Sequence, residues 1–185
     1  MATTTNPTAT NLMSWEAFEQ LPDDGMHHEI IEGVLIALSP PKSPHSIIAS
    51  IVSKELFAIE TRARCSAFGE AGYKLTHDPP TWIQPDVSFL SQARVNDTDP
   101  DGYFLGAPEL AVEVISPSES ANDVVAKAEL MLKHGAPAVW VIYPKRRKVE
   151  VKLADRTSRM LGIDDELTLT DLLPGWELPV AKLFE

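Results

Sequence analysis

Two acids set inside apolar runs constrain this chain more than any other feature. Asp86 lies in Ile83-Gln84-Pro85-Asp86-Val87-Ser88-Phe89-Leu90 and Glu113 in Leu110-Ala111-Val112-Glu113-Val114-Ile115. Apolar runs this short read as buried strands. An ionised carboxylate in a dry strand is costly unless a cation, a metal or hydrogen-bond donors meet it. Two such strands point to a shared partner, and a divalent metal ion is the simplest one.

A chain of 185 residues, 44% hydrophobic and 23% charged, is long enough to bury one sizeable core. We expect a single domain over residues 12–185 behind a disordered N-terminal arm over residues 1–11. That arm is Thr-rich, with neither the basic start nor the apolar stretch of a secretion signal, and no apolar run elsewhere approaches the ~20 residues that cross a bilayer. The expected location is cytoplasmic, with no membrane partner. The lone Cys65 excludes an internal disulfide and reads as a packed core residue. Sixteen basic against 27 acidic residues give a net charge of -11. Such a charge repels polyanions at long range, so any contact with nucleic acid must be weak or local.

Ser14 is a plausible N-cap for a short helix carrying Trp15, Phe18 and Leu21 and ending near Pro22. Two strands follow, His28 to Gly33 and Val34 to Leu38, hinged at Glu32-Gly33. From Pro44 to Arg64, Ile47, Ile48, Ile51, Val52, Leu56 and Ile59 recur at helical spacing, which predicts one continuous helix. Ser66–Phe68 and Tyr73–Leu75 read as short strands, and residues 91–107 as a polar loop. After the Glu113 strand, Ser120 and Asp123 form a capping-box pattern that opens a helix running to His134, which Gly135 ends. Ala138–Tyr143 and Val149–Leu153 read as further strands. The leucines at 167, 169, 172, 173 and 178 suggest a tail packed along the core or against a second copy, making a homodimer plausible.

The order of elements resembles the PD-(D/E)xK nuclease superfamily, with Pro85-Asp86 as the PD and Glu113-Val114-Ile115 as the (D/E)xK tripeptide. More specific segments are His28-Glu29-Ile30-Ile31-Glu32-Gly33, Ser39-Pro40-Pro41, Phe68-Gly69-Glu70, Gly106-Ala107-Pro108-Glu109-Leu110, Val112-Glu113-Val114-Ile115-Ser116-Pro117-Ser118 and Leu172-Leu173-Pro174-Gly175. With these the chain, from about residue 14 to 185, resembles the Uma-two family of restriction-endonuclease-like proteins. The resemblance implies an α/β (α+β) restriction-endonuclease-like fold, a central mixed β-sheet flanked by helices, with an added N-terminal helix and β-hairpin. It also implies a Mg²⁺-dependent endonuclease in which Asp86 and Glu113 bind the metal, Mn²⁺ can substitute, and the partner is a nucleic acid, DNA foremost.

The superfamily's usual lysine is missing, because Ile115 stands at its position. Lys127, in the following helix, is the candidate replacement. At 100° per residue it projects between Leu130 and Met131, so its charge flanks an apolar arc, and the family resemblance also puts a lysine here. The resemblance places Glu29 near the metal as a fourth catalytic residue. His45, at a helix start, and Glu70, between Gly69 and Ala71, are possible cleft-lining residues; capping and turn formation are their alternatives. The run Lys145-Arg146-Arg147-Lys148 is a solvated hairpin turn or a phosphate contact. Two readings stay open, a metal-dependent phosphodiesterase and a catalytically silent nuclease-fold domain that binds nucleic acid or protein.

Overall fold

The computed structural model describes residues 12–116, 121–169 and 171–185. The expected arm over residues 1–11 and the Ser120 cap lie outside them. The elements run α1 (Trp15–Glu19), β1 (His27–Ile31), β2 (Val34–Leu38), α2 (Ser43–Phe57), α3 (Glu60–Ala63), β3 (Cys65–Gly69), β4 (Tyr73–Thr76), β5 (Thr81–Ile83), β6 (Val87–Ser91), α4 (Gln92–Asp97), β7 (Phe104–Leu105), β8 (Leu110–Val114) and α5 (Ala121–Lys133). Then follow β9 (Ala138–Tyr143), a 3-10 turn (Pro144–Arg146), β10 (Lys148–Leu153), β11 (Ser158–Leu161), β12 (Glu166–Leu169), β13 (Leu173–Pro179) and a closing 3-10 turn (Val180–Phe184).

A mixed six-stranded sheet, ordered β11-β10-β9-β8-β6-β3, is the centre of the molecule, with β8 and β9 parallel and the other pairs antiparallel. Side chains alternate along β8. Leu110, Val112 and Val114 pack with Ile48, Val52 and Leu56 of α2, whereas Ala111 packs with Val124, Ala128 and Met131 of α5. Helices therefore cover both faces. The same alternation turns Glu113 toward α5.

A second, five-stranded sheet is ordered β2-β1-β5-β4-β7. The predicted N-terminal hairpin forms as β1–β2, with Glu32 at φ 48° and Gly33 at φ 81° in its turn, but it is one edge of this sheet and not a separate appendage. Ile30 of β1 and Trp82 of β5 form a small core with Trp15 and Phe18 of α1. Ser14 caps α1 by accepting from Ala17 N at 3.2 Å.

Four expectations need correction. The strand read through Ile83–Leu90 is two strands: β5 belongs to one sheet and β6 to the other, and Gln84-Pro85-Asp86 crosses between them. Pro85 lacks the N–H that a central strand needs, which is why pairing stops there. The helix predicted over Pro44–Arg64 ends at Phe57, a separate turn follows, and Ile47 is exposed. The polar loop over residues 91–107 contains α4 and β7. Its order comes from Arg94, whose guanidinium donates to the carbonyls of Ala107 and Leu105, each at 2.7 Å, and lies 3.4 Å from Glu109. The edge strand β11 had not been anticipated, because Ser158, Arg159 and Met160 are all exposed. In the tail, Leu167, Leu169, Leu178 and Leu183 are buried in the chain's own core, the first of the two placements expected for that segment. No described helix is long and apolar enough to cross a membrane.

Candidate active site

Lys127 projects from the middle of α5 into the seam between the two sheets. Its Nζ lies 2.7 Å from Glu29 Oε1 of β1, 3.1 Å from Glu113 Oε1 of β8, and 2.8 Å from the carbonyl of Gln84 in the crossing segment, to which it donates. One ammonium thus joins both sheets and the chain that runs between them. Glu29 is 2% and Glu113 4% exposed. Glu29 Oε1 also accepts from Gln84 N at 2.7 Å. Glu113 Oε1, by contrast, is buried and within ion-pair distance of Lys127 but accepts no hydrogen bond of good angle.

Asp86 stands at the bend just before β6, at the same end of the large sheet. Its Oδ2 accepts from Val114 N at 2.6 Å and lies 3.0 Å from His45 Nε2. His45 is buried in the first turn of α2. The carboxylate is therefore held by one strand and one helix, while about a fifth of its side chain stays open to solvent. A small cleft of about 60 Å³ opens over it, lined by His27, His45, Glu70, Gln84, Asp86 and Ser116 among others. Glu70 holds a left-handed backbone at φ 51°; its N–H donates to Asp86 O at 3.3 Å and its carbonyl accepts from Gln84 Nε2 at 2.9 Å. Larger cavities elsewhere, one of about 520 Å³ beside Trp140 and Leu161, contain none of these acids.

Three carboxylates surround one lysine, and the electrostatics follow. Burial pushes Glu113 well above its ordinary range; Lys127 pulls it back, while Asp86 and Glu29 push it further up. For Lys127, burial alone acts downward, but Glu113, Glu29 and Asp86 more than reverse it, so its net shift is upward. The Lys127 shift signals an excess of negative charge at the seam, whereas that of Glu113 reports chiefly its burial.

That excess suits an added cation. Among the described residues no three His, Cys, Asp or Glu side chains are placed to share one ion. Magnesium does not require three, since it commonly binds through one or two carboxylates and completes its octahedron with water and substrate phosphate. Glu113 Oε1, buried without a well-angled donor, and the partly open Asp86 fit that mode.

The structure gathers Glu29, Glu113 and Lys127 into one ion-paired cluster and Asp86, His45 and Glu70 around one cleft. Ser88 is fully buried and accepts from Tyr73 Oη at 2.8 Å. Sequence reasoning missed the Gln84 carbonyl, the Val114 amide and the place of Ser116. Backbone donors and acceptors carry no sequence signal, although Pro85 did mark the break that frees the Gln84 carbonyl.

Comparison with known proteins bears on the fold and the family. Among solved structures, a putative nuclease from Anabaena variabilis superposes with a TM-score of 0.82 at 24% identity, covering 93% of this chain and 97% of that one. At that identity the likeness is one of fold. No curated protein matches the chain. A family model described as "Uma2: Putative restriction endonuclease" matches residues 15–181. With that match running over nearly the whole sequence, the chain belongs to the Uma2 family.

Proposed function

We propose that the protein is a Mg²⁺-dependent endonuclease that hydrolyses phosphodiester bonds, with DNA as the foremost substrate. The observation that carries the reading is Lys127 joining Glu29 and Glu113 beside the solvent-reachable Asp86. Asp86 and Glu113 would hold the metal. A divalent ion bound there lowers the pKa of a coordinated water and neutralises charge on phosphate oxygens.

The chain's own groups have distinct tasks. His45 and the Val114 amide fix Asp86 Oδ2, so the carboxylate does not swing as substrate enters. Glu29 and the Gln84 carbonyl fix the Lys127 ammonium. The surrounding acids keep that amine protonated, so it acts as a hydrogen-bond donor and positive charge, not as a base. Its place in the seam compensates for Ile115, which sits on the β8 continuation where a lysine is usual. A second reading is a catalytically silent nucleic-acid-binding domain. It is favoured by the two ion pairs that already engage Lys127 and by the absence of a third metal-ligating side chain among the described residues.

The deciding experiment pairs calorimetric titration of Mn²⁺ with nicking of supercoiled plasmid. Wild type is expected to bind the ion and nick; Asp86→Ala is expected to do neither, and Lys127→Ala to bind but not nick. Wild-type inertness at millimolar metal would overturn the enzymatic reading. Equal nicking by wild type and Lys127→Ala would remove Lys127 from the mechanism.

A further inference from the structure

One end of the six-stranded sheet carries the candidate site, and the same end carries a cationic turn. The parallel register of β8 and β9 pairs Val114 with Ile142, and Ile115 N donates to Ile142 O at 2.9 Å. Ser116, which lines the cleft, is thus level with the start of the turn that joins β9 to β10. That turn is Pro144–Arg146 followed by Arg147 at φ 49°, and Lys145, Arg146, Arg147 and Lys148 are all exposed. At about 4.8 Å per strand, β9 lies roughly 10 Å from β6 and its Asp86.

Among the described residues none of these four side chains has a carboxylate within ion-pair distance; the same is true of Lys42, Lys54, Arg62, Arg64, Lys74, Arg156 and Arg159, but only the turn sets four such cations side by side. Arg146 and Arg147 lie about 6 Å from the rings of Tyr143 and Phe184. These contacts leave the two lysines as unmet charges pointing out from the turn's flanks. A net charge of -11 cannot draw a polyanion at long range. A substrate seated over Asp86 therefore needs a local cationic contact, at a spacing of a few nucleotides of backbone.

We propose that the Lys145–Lys148 turn is the backbone-phosphate contact that seats nucleic acid across the cleft, reading charge and not sequence. The inference rests on the nuclease reading above. The test compares wild type with Lys145→Glu/Lys148→Glu, both in an Asp86→Asn background with chelator. Binding of a fluorescent oligonucleotide, single-stranded and duplex, is measured against salt. Each phosphate contact contributes about 0.7 to 0.9 to the slope of log affinity on log salt, so loss of two predicts a slope shallower by about 1.5 and roughly 20- to 60-fold weaker binding at 0.1 M salt. Thermal unfolding is expected to be unchanged, and plasmid nicking without the Asp86 substitution to show a raised KM at unaltered kcat. An unchanged slope, with wild type binding and nicking, would overturn the turn's role and leave the nuclease reading standing. No binding and no nicking by wild type would overturn both.

Discussion

Replacing Lys127 by methionine is the most informative single perturbation of the fold. The substitution keeps most of the unbranched side chain and deletes the charge that Glu29 and Glu113 share at 2.7 and 3.1 Å. Both acids are almost wholly buried, so little of the interaction is lost to solvent screening. Removing one partner of a buried pair costs about 3–5 kcal/mol, because the remaining charge stays desolvated. That is a large fraction of the 5–15 kcal/mol that typically separates native from unfolded chains. The cost depends on pH, and its sign can be worked out. Glu113 already sits above its ordinary range through burial, and Lys127 is what pulls it down. Without the lysine, its folded pKa rises further above the unfolded value near 4.3. The folded state then binds the extra proton, so stability is present at low pH and is lost as pH rises through the folded pKa, by about 1.4 kcal/mol per unit. Urea unfolding in chelator at pH 5.5 and pH 8 checks this. The gap between Lys127→Met and wild type is expected to be several kcal/mol at pH 8 and clearly smaller at pH 5.5. Adding Glu113→Gln should recover part of the loss at pH 8. A gap below about 1 kcal/mol, or one independent of pH, would refute the claim that this lysine neutralises buried carboxylates.

Three further predictions bear on other links. Gly72→Ala would drive a Cβ into the Trp82 ring; overpacking of this kind costs about 1–3 kcal/mol, read as a lowered urea midpoint, and no change would mean that the indole is free to shift. Leu167→Ala, at a fully buried position in the large core, is expected to cost about 2–5 kcal/mol with no change in sedimentation. Altered sedimentation instead would show that the tail serves an interface. Glu177 raises the pKa of Glu166 across the final hairpin, so Glu177→Gln should raise Tm at pH 7 and raise it less at pH 3, as Glu166 takes up its proton. An equal gain at both values would exclude charge repulsion as the cause.

Much of the site was legible because buried charge is conspicuous in sequence. Glu113 stands out against the apolar residues on either side, and the following helix offers Lys127 on the arc that faces the sheet. Glu29 and His45 came from resemblance and from position, not from pattern. What the chain could not reveal was which sheet each strand joins. Ile83 and Val87 look like parts of one run, yet they end in different sheets, because the decision is made by tertiary pairing on both sides of Pro85. The same limit applies to α4 and β7, which are ordered by the Arg94 guanidinium far more than by local propensity. Ile47 fits the apolar period of α2 but emerges at the surface, since periodicity fixes a stripe and not how much of it is covered.

The seam between the sheets also sets when the protein becomes competent. Glu29, Gln84, Glu113 and Lys127 are drawn from more than half the length of the chain and meet only after both sheets have formed and docked. A half-folded or nascent chain holds every one of these residues and none of the cluster. For the nuclease activity proposed above, completion of the tertiary structure is then itself a safety catch, since the cluster does not exist before the sheets have docked.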